Sequence, residues 1–136
     1  MASVRREVLL DAPADAVWDA ARDVGALHTR LVPGFVTDTR VEDGARIVTF
    51  ANGMVARELI VDVDDAARRI AWAAVDTPMT HYNASFQVHA HGDGAHGIWI
   101  ADLLPDEHAD MVAGMMEQGL EAMRRAFAGE GGRVSA

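Results

Sequence analysis

The chain has 136 residues, half of them hydrophobic and 24% charged, which suits one domain with a packed core and excludes a disordered chain. A formal charge of −9 argues against nucleic acid and anionic membrane surfaces, which both reward positive charge, but is compatible with a neutral lipid or an aromatic ligand. Every basic residue is Arg and there is no Cys, which removes lysine Schiff bases, thiol nucleophiles, disulfides and thiolate metal sites.

The opening Met-Ala-Ser-Val-Arg-Arg-Glu has no apolar signal core, and no apolar run approaches the ~20 residues of a membrane helix. No membrane insertion is expected, and the cytoplasm is the default location. Residues Ser3 to Leu10 read as a first strand, stopped by Asp11-Ala12-Pro13. Pro13 needs no backbone donor in the first turn of a helix. Val17, Trp18, Ala21 and Val24 follow at helical spacing up to Gly25. Ala26 to Leu31 predicts a second short helix, closed by Pro33-Gly34.

The middle of the chain is punctuated by turn signals at Asp43-Gly44, Asn52-Gly53, Asp64-Asp65, Asp76-Thr77-Pro78 and Gly92-Asp93-Gly94. Between them lie six short runs rich in Val, Ile, Phe, Trp and Thr: Phe35–Glu42, Arg46–Ala51, Val55–Val63, Arg69–Val75, Thr80–His91 and His96–Leu104. Six strands joined by tight turns predict an antiparallel meander. Glu107 to Phe127 then predicts a helix with one broad apolar face of Val112, Met115, Met116, Gly119, Leu120, Met123 and Phe127. A meander of this length exposes an apolar face that this helix is suited to cover. Because long sheets coil, one helix leaves part of the concavity unfilled, and that space is the expected ligand cavity. The expected domain covers residues 1–128, with a flexible Gly-rich tail over 129–136.

Several segments carry a family resemblance. Leu10-Asp11-Ala12-Pro13-Ala14-Asp15-Ala16-Val17-Trp18 is similar to the strand-to-helix opening of the START-like, or SRPBCC, superfamily, and in particular of its polyketide cyclase/dehydrase and lipid-transport family. Leu31-Val32-Pro33-Gly34-Phe35, Val55-Ala56-Arg57-Glu58-Leu59 and Asp64-Asp65-Ala66-Ala67-Arg68-Arg69 resemble its second strand and central hairpin. Ile98-Trp99-Ile100-Ala101-Asp102-Leu103-Leu104-Pro105 and Gly119-Leu120-Glu121-Ala122-Met123 resemble its last strand and helix. The resemblance covers nearly the whole chain. It implies an α+β helix-grip fold of the birch-pollen-allergen type: a curved seven-stranded antiparallel sheet, in the order β-α-α-β6-α, around a long C-terminal helix. It implies no single activity, since the superfamily includes lipid carriers, hormone receptors, cyclases and chaperone activators. No catalytic motif carries over residue by residue.

The residues offer a set of site candidates. Asp102 shares a strand face with Ile98, Ile100 and Leu104, and Arg57 shares one with Val55, Leu59, Val61 and Val63. If both faces point inward, a carboxylate and a guanidinium sit in the cavity wall; a one-residue slip puts both in solvent. His28, in the short segment at the expected cavity mouth, is suited to proton transfer or to packing at the rim. Tyr82 shares an apolar face with Ala84, Phe86 and Val88, and reads either as a ligand anchor or as core. The opposite row, His81, Asn83, Ser85, Gln87, His89 and His91, reads as a solvated outer face; a bulge would bring Asn83 inward as a polar site residue. Trp72, Trp99, Met115 and Met116 read as cavity wall or as core, with Met111 and Met123 in the same position.

His89, His91 and His96 gather near one hairpin tip, where adventitious metal binding is the expectation rather than a built centre, because no fourth ligand is evident. No cofactor is expected, since there is no phosphate loop with its lysine, no nucleophile elbow and no zinc-protease pair. The expected partner is a small hydrophobic ligand; a homodimer is compatible. Three functions follow. The first is binding or transport of a hydrophobic molecule, lipid, polyketide-like or aromatic. The second is cyclase/dehydrase chemistry with His28, Tyr82, Arg57 and Asp102 converging. The third is a protein-interaction module of the chaperone-activator type.

Overall fold

The computed structural model describes residues 2–135, with side chains through residue 128. The tail expected over 129–136 lies outside the residues described in full. The strands are β1 (Ala2–Leu10), β2 (Val36–Glu42), β3 (Ala45–Phe50), β4 (Val55–Asp64), β5 (Arg69–Val75), β6 (His81–His91) and β7 (Gly94–Leu104). Helix α1 covers Ala14–Arg22 and α2 covers Ala109–Ser135. A single π turn at Leu27–Leu31 stands where a short helix was expected, closed by the Val32 amide bonding the Leu27 carbonyl at 3.0 Å.

All seven strands form one antiparallel sheet in the order β1-β7-β6-β5-β4-β3-β2. The meander is therefore β2 to β7, and β1 closes onto its last strand. Turn chemistry sets the registers. Asp43 and Gly44 both take positive φ, 44° and 75°, so two residues join β2 to β3 and Glu42 faces Ala45. At the Asn52-Gly53 turn the loop is longer. Only Gly53 has positive φ, 90°, and the Phe50 amide bonds the Met54 carbonyl at 2.8 Å. Three residues thus form the loop, and Arg46 falls directly opposite Glu58.

Register shifts between Val36 and Asp38 in β2 and between Ile60 and Asp62 in β4 bend the sheet. Helix α1 packs against β5, β6 and β7, with Val17, Trp18 and Ala21 buried; α2 lies across β1, with Val112, Met116, Leu120 and Met123 buried. Two glycines allow close approach. A Cβ on Gly119 of α2 would stand 2.8 Å from the Trp99 ring, and one on Gly97 of β7 would stand 2.8 Å from the Phe86 ring. Trp18 and Arg22 both hydrogen-bond Asp65 of the β4–β5 turn, at 3.0 and 2.8 Å, which ties α1 to the sheet. This is the helix-grip architecture: a long curved sheet holding a C-terminal helix. No helix among the described residues is long and apolar enough to cross a membrane.

Candidate functional site

Between the concave sheet face and α2 lies a cavity of about 350 Å³. Arg46 and Phe50 come from β3, Ala56 and Glu58 from β4, Ile70, Trp72 and Ala74 from β5, Tyr82 and Phe86 from β6, and Trp99 from β7. Helix α2 supplies Met111, Val112, Met115, Met116 and Met123; Leu27, Leu31, Val32 and Phe35 close the side beneath the π turn. The most exposed lining residues are Met54, Val55, Asp76, Pro78 and Met111, so the mouth opens between the β3–β4 turn, the β5–β6 loop and the start of α2. Aromatic rings stiffen the wall: Phe35 meets Phe50 edge-on at 5.3 Å between centroids, and Trp72 leans on Trp99 at 6.3 Å.

One ion pair stands in this apolar wall. Arg46 Nε donates to Glu58 Oε1 at 2.8 Å, and the residues are only 3% and 7% exposed. The guanidinium lies over the Trp72 ring, 5.3 Å from its centroid, a cation–π contact that helps offset its desolvation. Tyr82 also faces the cavity. Burial, and then the charge of Glu58, push its phenol well above the ordinary tyrosine value, so it stays protonated and can donate. Trp99 Nε1 is the one buried side-chain polar atom without a partner among the described residues.

Of the residues singled out by sequence, Trp72, Tyr82, Phe86, Trp99, Met115 and Met116 line the cavity. Four others do not. Arg57 is on the outer sheet face, bonded to Glu42 Oε1 at 3.1 Å. In the apolar row that pointed to it, Leu59 and Val61 face outward, with Val61 64% exposed, and Val55 reaches only the cavity mouth. Ala56, Glu58 and Ile60 turn inward, and the shift at Val61 brings Val63 to the same side. Asp102 is also outside. In β7 the inward row is Ala95, Gly97, Trp99, Ala101 and Leu103, whose small members leave room for the Phe86 ring and the helices.

Asp102 accepts from Ser3 Oγ at 2.5 Å and from Asn83 Nδ2 at 3.1 Å, and these bonds hold its carboxyl below the usual range. Asn83 is therefore outside as well. It faces Asp102 across an unbroken β6–β7 register, with no bulge to turn it, and bonds His81 at 2.6 Å. His28 is not among the lining residues; its Nδ1 stands 3.1 Å from Oγ1 of Thr39, a buried residue of β2. The structure thus does not bring His28, Arg57, Tyr82 and Asp102 together.

His89, His91 and His96 share the outer face; His96 lies 6.3 and 6.4 Å from the other two rings and bonds Glu7 at 2.6 Å. Among the described residues no three His, Cys, Asp or Glu are placed to hold a metal ion.

Sequence reasoning missed Arg46 and Glu58. A signal was present: Arg46 alternates with Val48 and Phe50, Glu58 alternates with Ala56 and Ile60, and a three-residue loop makes the two charges cross-strand neighbours.

The family model for polyketide cyclase/dehydrase and lipid transport matches residues 1–128. No curated protein matches the chain. Among solved structures, one from Thermobifida fusca is 28% identical, with a TM-score of 0.74, over 98% of this chain and 95% of that one. A START superfamily protein from Mycobacterium smegmatis is 13% identical, with a TM-score of 0.72, over 97% and 98% of the two chains. The di-domain ARO/CYC protein BexL is 20% identical, with a TM-score of 0.79, over 93% of this chain and 46% of that one.

Proposed function

The chain belongs to the polyketide cyclase/dehydrase and lipid transport family, and from that premise we propose that its cavity binds a small hydrophobic molecule, lipid-like, polyketide-like or aromatic. The observation that carries the reading is an unfilled apolar space of about 350 Å³, walled by methionines and aromatic rings, with one ion pair and one phenol as its inner polar points and Asp76 at its mouth. That volume is in the range of small-molecule pockets. Methionines accommodate varied shapes, while Trp72, Trp99, Phe50 and Phe86 offer flat faces. A cavity its own side chains leave open also argues against the protein-interaction reading.

A second reading, cyclase/dehydrase chemistry, is supported by Glu58, a carboxylate inside an apolar cavity close enough to Tyr82 to perturb it. There Glu58 would accept a proton and Tyr82 would donate to a developing oxyanion. Binding is favoured because Glu58 is already engaged by Arg46.

The test uses the neutral fluorophore N-phenyl-naphthylamine. The wild-type protein should enhance its fluorescence saturably, and Ala74→Trp, which places an indole in the cavity, should weaken the enhancement at least tenfold in affinity while keeping the circular dichroism spectrum. A folded wild-type protein that fails to bind the fluorophore, or an Ala74→Trp variant that binds it equally well, would overturn the reading.

A further inference from the structure

We propose that Glu58 sets the charge of the ligand's head group: paired with Arg46, it makes the cavity accept an uncharged, oxygen-bearing head and refuse a carboxylate. This rests on the hydrophobic-binding reading and deepens it.

An arginine buried in the wall of an apolar cavity is the ordinary receptor for a carboxylate. Here that charge is already matched. Glu58 holds Arg46 Nε at 2.8 Å, both residues are almost fully buried, and both line the cavity. A carboxylate arriving at Arg46 would bring a second negative charge beside Glu58 against an apolar wall, where like charges repel more strongly than in bulk water. The other charged residue lining the cavity is Asp76 at the mouth, and it adds to the same sign.

Hydrogen-bonding capacity points the other way for neutral oxygens. Arg46 has five N–H donors, and among the described residues only Nε has a protein acceptor. The Tyr82 hydroxyl has no protein partner among them, and neither it nor the Arg46 terminal nitrogens are sealed from the cavity as Trp99 Nε1 is. Burial keeps the Tyr82 phenol protonated and hence a donor. Beside the pair, the site therefore offers free donors at the Arg46 terminal nitrogens and the Tyr82 hydroxyl. A ketone, amide or ester oxygen satisfies these donors without adding charge.

The test is displacement of N-phenyl-naphthylamine by decanamide and by decanoate at about pH 8, where the acid is ionised. The two ligands share a chain and a planar head and differ in charge. The wild-type protein should bind decanamide at least tenfold more tightly than decanoate. Glu58→Gln, which keeps an oxygen for Arg46 Nε but removes the charge, should raise decanoate affinity at least tenfold and narrow or reverse that ratio. Equal or tighter decanoate binding by the wild type overturns the proposal, whether or not the variant folds. So does a folded Glu58→Gln with unchanged decanoate affinity. In both cases binding of the fluorophore and of decanamide leaves the hydrophobic-site reading standing. If the fluorophore itself does not bind, that underlying reading has failed.

Discussion

At Arg46 a guanidinium sits in an almost dry wall, held by one carboxylate and one indole face. Removing only one member of such a pair strands a buried charge. Arg46→Met should therefore cost about 3–5 kcal/mol in urea denaturation, while Arg46→Met combined with Glu58→Met should recover most of that loss. Tyr82 gives a second measurable consequence. It is the only tyrosine in the chain, so absorbance at alkaline pH reports it alone. Its phenol should titrate above the ordinary value of about 10 while the protein stays folded. Since the folded state retains that proton and the unfolded state releases it, stability should fall as pH rises past about 10. Asp102 works in the opposite direction. Its carboxyl is depressed in the fold by Ser3 and then Asn83, so its contribution is present above about pH 4 and is lost as pH falls through the folded value. Asp102→Asn should remove that acid limb and cost about 1 kcal/mol at neutral pH, read as urea midpoints across pH. It should leave ligand binding untouched, because Asp102 lies on the far side of the sheet.

Among the elements, α2 presents a contrast within one helix. Both Gly114 and Gly119 lower its helix propensity, by about 1 kcal/mol each relative to Ala. A Cβ on Gly114 meets nothing within 4 Å, whereas one on Gly119 meets Trp99 at 2.8 Å and Phe35 at 3.2 Å. Gly114→Ala should therefore stabilise the protein by up to about 1 kcal/mol. Gly119→Ala should destabilise it by about 1 kcal/mol net, the overpacking outweighing the propensity gain. It should also weaken fluorophore binding, because the displaced Trp99 ring has the cavity to move into. Strand β4 illustrates how an element can mislead. Its most apolar alternating row ends in solvent and its glutamate ends in the wall, because the partner that makes burial tolerable sits on β3.

For the molecule as a whole, an unfilled cavity is packing surrendered, and a ligand restores it. Saturation at 100 times Kd should add about 2.7 kcal/mol. For a chain of 136 residues that corresponds to a rise of about 9 °C in Tm with decanamide, followed by calorimetry. Ala74→Trp should show a smaller rise at the same ligand concentration.

The order of strands and helices, the turn positions and the existence of a concave space under α2 were legible in the chain, because they follow from local signals: period-two and helical apolar patterns, and Asp-Gly and Asn-Gly turns. So was the inward face of β6, where Tyr82, Ala84, Phe86 and Val88 alternate with an entirely polar row. The inward faces of β4 and β7 were not legible. A strand offers two faces of equal period, and when both carry apolar residues the choice depends on what packs against them. In β7 it fell to the row with Gly97 and Ala101, since the curved sheet and its helices demand small residues there. In β4 it fell to the row with Glu58, since a three-residue loop put Arg46 opposite. The sequence by itself determined that there would be a grip and a space within it. Only the tertiary structure decided that the polar point in that space is Arg46 with Glu58 rather than Arg57 with Asp102, because that choice is made between strands, by register and curvature, and not along either one.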